Sequence, residues 1–149
     1  MIIFPKTLTF NQDEKDLARA FADKHRAKMN SYEGTYRGEL AELCLVRLLS
    51  HIHDVVENDE DKTHQYEWDM KIDGKFVDIK TTTGSYITIS NYTLGKKIDH
   101  IIYPCYKYGL DKMTLIGVIN GTQVRTHATP SKFHDSNYIS SKIIKEISQ

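Results

Sequence analysis

The dipeptide Asp73-Gly74 constrains this chain more than any other feature. It separates two strand-like runs, residues 67–72 and 75–82, and a two-residue type I′ turn needs positive φ at both central positions, which Asp-Gly supplies readily. Such a turn fixes the register. Ile72 then faces Lys75, Met70 faces Val77, Asp69 faces Asp78, Trp68 faces Ile79 and Glu67 faces Lys80. Because side chains alternate with period two, Trp68, Met70, Ile72, Val77 and Ile79 are expected on an apolar face. Glu67, Asp69, Lys71, Asp78 and Lys80 fall on an ionic one.

A water-facing surface stitched by cross-strand ion pairs is the plain explanation of an ionic face. Here it meets a difficulty, because the register sets Asp69 directly against Asp78 with Cβ atoms about 4.5–5.5 Å apart, where like charges destabilise. Lys71 and Lys80 offset part of the repulsion. Two convergent carboxylates also suit a divalent cation that takes an oxygen from each, and hard oxygen donors select Mg²⁺ or Mn²⁺ over a thiolate-seeking metal. Lys80 then holds a positive charge beside whatever the metal binds.

Around this hairpin the 149 residues read as one domain, without repeat, low-complexity tract or Pro/Gly/Ser linker. Asn11 followed by Glu14 is a capping-box pattern, and Leu17, Phe21 and Met29 with Ala18 and Ala22 predict a helix to about residue 29. Residues 32–38 read as a loop and 39–50 as a second helix, apolar on more than one side. Asn120-Gly121 repeats the hairpin signal between 113–119 and 122–126. Residues 91–98 read as a short helix and 101–105 as a strand whose Pro104 restricts central pairing. The four-residue spacing of Ile139, Ile143 and Ile147 predicts a terminal helix. This order predicts an α/β fold, a central mixed β-sheet flanked by helices, with an N-terminal helix and loop over 1–37 and a core over 38–149.

Composition narrows the class. No apolar run approaches the roughly twenty residues of a membrane span, and the first six residues carry no basic leader. Cys44 and Cys105 form no C-x-x-C pair, which suits a reducing cytoplasmic compartment. The net charge of zero argues against uniform DNA coating, yet it conceals +1 over residues 1–50, −5 over 51–80 and +4 over 81–149. Part of the −5 is the run Glu57-Asn58-Asp59-Glu60-Asp61, which reads as a solvated loop.

Asp69, then Asp78-Ile79-Lys80 on the second strand of a hairpin, with Gly38-Glu39 opening a helix upstream, resembles the PD-(D/E)xK nuclease superfamily. The likeness continues through Asp99-His100-Ile101-Ile102 and Ile116-Gly117-Val118-Ile119, while Trp68 stands where the motif has its proline. The resemblance implies a restriction-endonuclease-like core and a metal-dependent nuclease hydrolysing phosphodiester bonds in DNA. It implies that Asp69 and Asp78 hold one or two Mg²⁺ ions, replaceable by Mn²⁺, with the main-chain carbonyl of Ile79 as a further ligand. Glu39 reaches from its helix to a metal or its water, and Lys80 positions the attacking water and neutralises charge on the phosphate. Glu42, three residues on, shares nearly the same helix face as Glu39, and Glu67 is placed to pair with Lys80.

Substrate contacts are expected from Arg37, Thr82, Lys96 and Lys97, with Lys107 and Arg125 also in the basic last segment. Tyr32 and Tyr36 would add to a DNA rim, and Tyr86, Tyr92, Tyr103, Tyr106, Tyr108 and Tyr138 are available for stacking on bases. The expected partner is nucleic acid, DNA above all, with no membrane. The chain is expected in a bacterial or phage-infected cytoplasm, and a homodimer, a lone nickase and a subunit of a larger complex all remain open. A zinc site from Cys44, His51, His53 and His64 matches no standard spacing, and no G-x-S-x-G, P-loop or G-x-G-x-x-G occurs. The competing class is a non-catalytic nucleic-acid-binding or protein-interaction module on the same fold.

Overall fold

The computed structural model describes residues 2–26, 31–57, 68–91, 95, 100–107, 109, 111–132 and 134–149. Strand β1 (Lys6–Thr9) leads into helices α1 (Gln12–Lys24) and α2 (Tyr32–Leu49). Strands β2 (Val55–Glu57), β3 (Met70–Ile72), β4 (Lys75–Thr82), β5 (Tyr86–Ser90), β6 (Ile101–Lys107), β7 (Lys112–Leu115) and β8 (Ile119–Asn120) follow. Helix α3 (Gly121–His127), strands β9 (Thr129–Pro130) and β10 (Ser136–Ser140) and helix α4 (Ser141–Ser148) complete the order. The fold is mixed α/β. The main sheet runs β1-β7-β6-β4-β3-β2, with β8 also on β6, and a second sheet runs β5-β10-β9. Among the described residues only β4 and β6 pair in parallel. Among the described residues no helix is long and apolar enough to cross a membrane.

The first hairpin turns where Asp73-Gly74 directs it. Their φ angles are +50° and +81°, and Met70, Lys71 and Ile72 pair with Val77, Phe76 and Lys75. The Asp73 carboxylate secures the turn, accepting the Asp54 N–H at 2.9 Å and lying 2.7 Å from His53 Nδ1. Strand β4 is covered on both faces, as parallel pairing usually requires. Val77 and Ile79 pack with Ala41, Cys44, Leu45 and Leu49 of α2. On the other side, Ile102 of β6 joins Ile87, Ile89, Ile119, Ile139 and Ile144 beneath the second sheet.

Several elements depart from the sequence expectation for identifiable reasons. Helix α2 starts at Tyr32, not Glu39, because Ser31 caps it by accepting the Gly34 N–H at 3.0 Å. A side chain at Gly34 would crowd Ser31, so this glycine belongs to the cap and does not mark a loop. Tyr36 and Leu40 then pack on Ala18 and Ala22 of α1, which outweighs the helix cost of two glycines. The capping box of Asn11 and Glu14 forms, but α1 ends at Lys24 and Leu17 is 59% exposed, leaving the small alanines as its buried stripe.

Asn120-Gly121 does not make a hairpin. The Asn120 side chain accepts the Gln123 N–H and the Gln123 side chain accepts the Asn120 N–H, both at 2.9 Å, so the pair opens α3. The capacity to bond its own backbone that makes Asn a turn residue also makes it an N-cap. In the terminal segment Ile139 lies in β10, and α4 begins only at Ser141, buried through Ile144. The helix expected over 91–98 lies largely outside the described residues.

Pro104 occupies a central strand after all. Strands β7 and β8 pair with the same edge of β6 in registers that differ by one residue, Cys105 opposite Leu115 but Ile102 opposite Ile119. The extra residue falls beside Pro104, whose carbonyl accepts the Ile116 N–H at 3.1 Å. A residue's N–H and C=O point to the same strand edge, so the N–H that proline lacks would have faced this irregularity, where no ladder bond is needed.

Candidate active site

Strand β3 does not carry its ladder on to Asp69. The Asp69 N–H donates at 3.0 Å to the carbonyl of Val77, already the partner of Met70, so two consecutive residues share one partner in a β-bulge. The bulge removes Asp69 from direct opposition to Asp78, the arrangement the regular register required and like charges resist. Asp69 Oδ2 instead accepts the Ile79 N–H at 2.8 Å, so the carboxylate takes the place of the departing strand. Trp68 changes face with it. Its ring lies 5.6 Å from Phe76, and Lys71 Nζ is 5.2 Å from both rings, so Trp68 does not join Met70 and Ile79 in the apolar layer.

Asp78 lies on the opposite face of β4 from Val77 and Ile79, and the parallel register sets it beside Ile102, two residues beyond His100 in the chain. His100 Nε2 is 2.8 Å from Asp78 Oδ2, and the two residues are only 2% and 3% exposed. The His100 carbonyl is itself fixed by the Gly121 N–H at 3.1 Å. His100 Nδ1 is buried with no hydrogen-bond partner among the described residues. A proton on Nε2 serves the carboxylate and leaves Nδ1 as a bare lone pair, a less costly arrangement than burying an unmatched N–H. Nothing in the sequence around His100 marks it as a site residue. Its neighbours gave no metal spacing, and only the β4–β6 register brings it to Asp78.

Lys80, half-buried, follows Asp78 on the same strand face and stands beside Pro104 in the parallel register. Helix α2 packs on the Val77–Ile79 face of β4 through Ala41, Cys44, Leu45 and Leu49, with its last turn at the Asp73 end where His53 reaches Asp73, so Glu39 and Glu42 belong to the helix that covers the face opposite Asp78 and Lys80. Of these two acids Glu42 is buried, at 5% exposure, and Glu39 only half-buried. A carboxylate taken out of water must be paired, bonded or neutralised, which makes Glu42 the more consequential of the two.

The expected substrate contacts fare unequally. Arg37 lies within α2 and is half-buried, and Thr82 Oγ1 accepts the Gly84 N–H at 3.0 Å in the turn after β4. Lys96, Lys97 and Glu67 lie outside the described residues. Tyr36 is buried with the Arg19 guanidinium 3.6 Å over its ring, and Tyr32 donates to Asp23 at 2.9 Å, so this rim is a packed helix pair and not a loop. The zinc alternative loses its members to other partners, His53 to Asp73 and Cys44 to the carbonyl of Thr9; His64 lies outside the described residues.

No three His, Cys, Asp or Glu side chains among the described residues converge as a ready metal cage. Mg²⁺ asks less of a protein, since one or two carboxylates suffice where waters and substrate phosphates complete the octahedron. Asp69 and Asp78 fit that chemistry as hard oxygen donors, and an imidazole on the far oxygen of Asp78 is the kind of outer partner that orients a ligating group. No family model matches the chain, and no curated protein is similar to it.

Proposed function

We propose that the chain is a metal-dependent nuclease with a restriction-endonuclease-like core that hydrolyses phosphodiester bonds in DNA. The observation that carries this reading is the fork between β3 and β4, where Asp69 is anchored on the Ile79 N–H and Asp78 on His100, with Lys80 two residues further along. A divalent ion held by Asp69 and Asp78 would polarise the phosphoryl oxygen and acidify its bound water. The Ile79 carbonyl faces the same strand edge as its N–H and so opens to the fork as a further oxygen donor. Lys80 supplies a fixed positive charge for the phosphate and orients the attacking water. Glu39, with Glu42 one turn after it, is the proposed helix acid, and it would reach the ion at the fork from the Val77–Ile79 side of β4. Arg37, Lys96 and Lys97 remain the proposed phosphate contacts.

Purified protein is expected to cut DNA with Mg²⁺ or Mn²⁺ and not with chelator. Lys80→Ala and Asp78→Asn should abolish cutting while far-ultraviolet dichroism stays that of the wild type. Undiminished cutting by both variants would end the assignment. The deep burial of Asp78 favours one other reading, a non-catalytic nucleic-acid-binding or protein-interaction module in which Asp78 and His100 are a structural pair. Calorimetric titration with Mn²⁺ separates them: binding lost in Asp69→Asn supports the nuclease, and no binding supports the module.

A further inference from the structure

The second sheet has two unlike faces. Ile87, Ile89 and Ile139 point into the core. The outward positions of β5 and β10 are Tyr86, Thr88, Ser90, Ser136, Tyr138 and Ser140, every one bearing a hydroxyl and none a charge. Tyr86 and Tyr138 are 52% and 42% exposed, with ring centroids 5.6 Å apart and planes inclined by 57°. Against them lies a cleft of about 470 Å³, walled further by Thr88, Ser131, His134 and Ser136. Two large rings left half in water add little to folding compared with burying them. Their value lies in what they present outward.

What they present is a pair of flat π-faces with hydroxyls alongside, and no carboxylate among the described residues of the cleft wall to repel an anion. Lys132 adjoins Ser131 at one end and Lys142 follows Ser141 at another, within a segment of net charge +4. Nucleobases offer matching flat faces, and Lys132, next to the lining Ser131, is a cation for their phosphates, while Asp135, between His134 and Ser136, is held by the Asn91 side-chain amide. Sugar rings also lie on tyrosines, but sugar hydroxyls are best gripped by paired carboxylate or amide groups, which the described residues of this cleft wall lack. Duplex DNA presents its base edges and keeps the faces stacked inside. We propose that the Tyr86–Tyr138 face is a stacking platform for unpaired bases of single-stranded nucleic acid. The choice of nucleic acid as ligand rests on the nuclease reading, whereas the platform's geometry does not.

The test is fluorescence anisotropy of a labelled oligothymidylate in the presence of chelator, so that binding is read without cleavage. Wild-type protein should bind it more tightly than a duplex of equal length. Tyr86→Ala and Tyr138→Ala should each weaken binding by roughly 5- to 150-fold, as loss of one base stack does. Tyr86→Phe and Tyr138→Phe should retain it, since the ring carries the contact. Both tyrosines are exposed, and thermal melting checks that the alanine variants stay folded. Equal binding by the double alanine variant, or wild-type binding of a glucan oligosaccharide and not the oligonucleotide, overturns the proposal. The two readings part cleanly: cutting by wild type with unaltered single-strand binding in the alanine variants removes the platform alone. Tyrosine-dependent binding without cutting in Mg²⁺ removes the nuclease alone.

Discussion

Asp78 and His100, 22 residues apart in the chain, meet with Oδ2 and Nε2 2.8 Å apart in a space closed to water. The bond orients Asp78 at the cost of a buried Nδ1 with no partner among the described residues. His100→Leu, which removes the donor and leaves the carboxylate buried, is expected to lower unfolding stability by about 1–3 kcal/mol in urea titration. His100→Gln, which can present an N–H near the place of Nε2, should recover part of that loss and also part of the proposed nuclease activity. If Leu and Gln are equally stable, the hydrogen bond is not what holds the pair.

The hairpin turn makes a pH-dependent contribution of definite sign. The Asp54 N–H, and after it His53, hold the Asp73 carboxyl below the usual carboxylate range. A folded-state pKa below the unfolded one contributes stability above the ordinary carboxylate range, which is lost as pH falls through the folded value. Asp73→Asn keeps a residue that tolerates positive φ yet cannot titrate. Urea midpoints measured at pH 6 and pH 3 should therefore fall further for wild type than for this variant.

Helix α4 is seated against a glycine for steric reasons. A methyl group on Gly117 would lie 2.0 Å from Ser148 Oγ and 2.6 Å from its Cβ, while Ser148 Oγ bonds both the N–H and the carbonyl of Val118 at 3.1 and 3.2 Å. Gly117→Ala should cost about 1–3 kcal/mol by overpacking. Adding Ser148→Gly should recover stability, so the double-mutant cycle should show a favourable coupling between the two substitutions. Additive effects would show that the end of α4 does not meet Gly117.

Both thiols should be inert in the folded protein. Burial pushes the Cys44 thiol up to about 11, and Cys105, fully buried, is raised further by the same cause. At pH 8 each is protonated and shielded, so a disulfide reagent such as dithionitrobenzoate should label neither until urea is added. Rapid native labelling of Cys44 would place it on the surface.

What could be read from the sequence was local and stereochemical. Asp73-Gly74 set a register that holds for three residue pairs, and Asn11 with Glu14 set the start of α1, because each involves residues a few positions apart. The same chemistry misled at Asn120, where the side chain caps a helix, and at Gly34, which serves a cap and not a loop. The bulge at Asp69 turns on a carboxylate capturing the Ile79 N–H, an alternative to the ladder that alternation patterns do not encode. The burial of His100 and of Glu42 was out of reach for a further reason. Their burial depends on which strands and helices pack together, and the parallel β4–β6 pairing has no counterpart in neighbouring sequence.

That parallel pairing also bears on the order in which the molecule is built. The β3–β4 hairpin joins near neighbours and can close on a timescale of about 1–10 μs. Strand β6 can reach β4 only after the chain has travelled through β5 and back, a non-local closure of the kind that slows folding. A nascent chain holding only the first hairpin would carry both aspartates without the imidazole, its acids open to water. The centre is thus finished when the crossover docks, and β5, whose outer face bears Tyr86, belongs to that crossover.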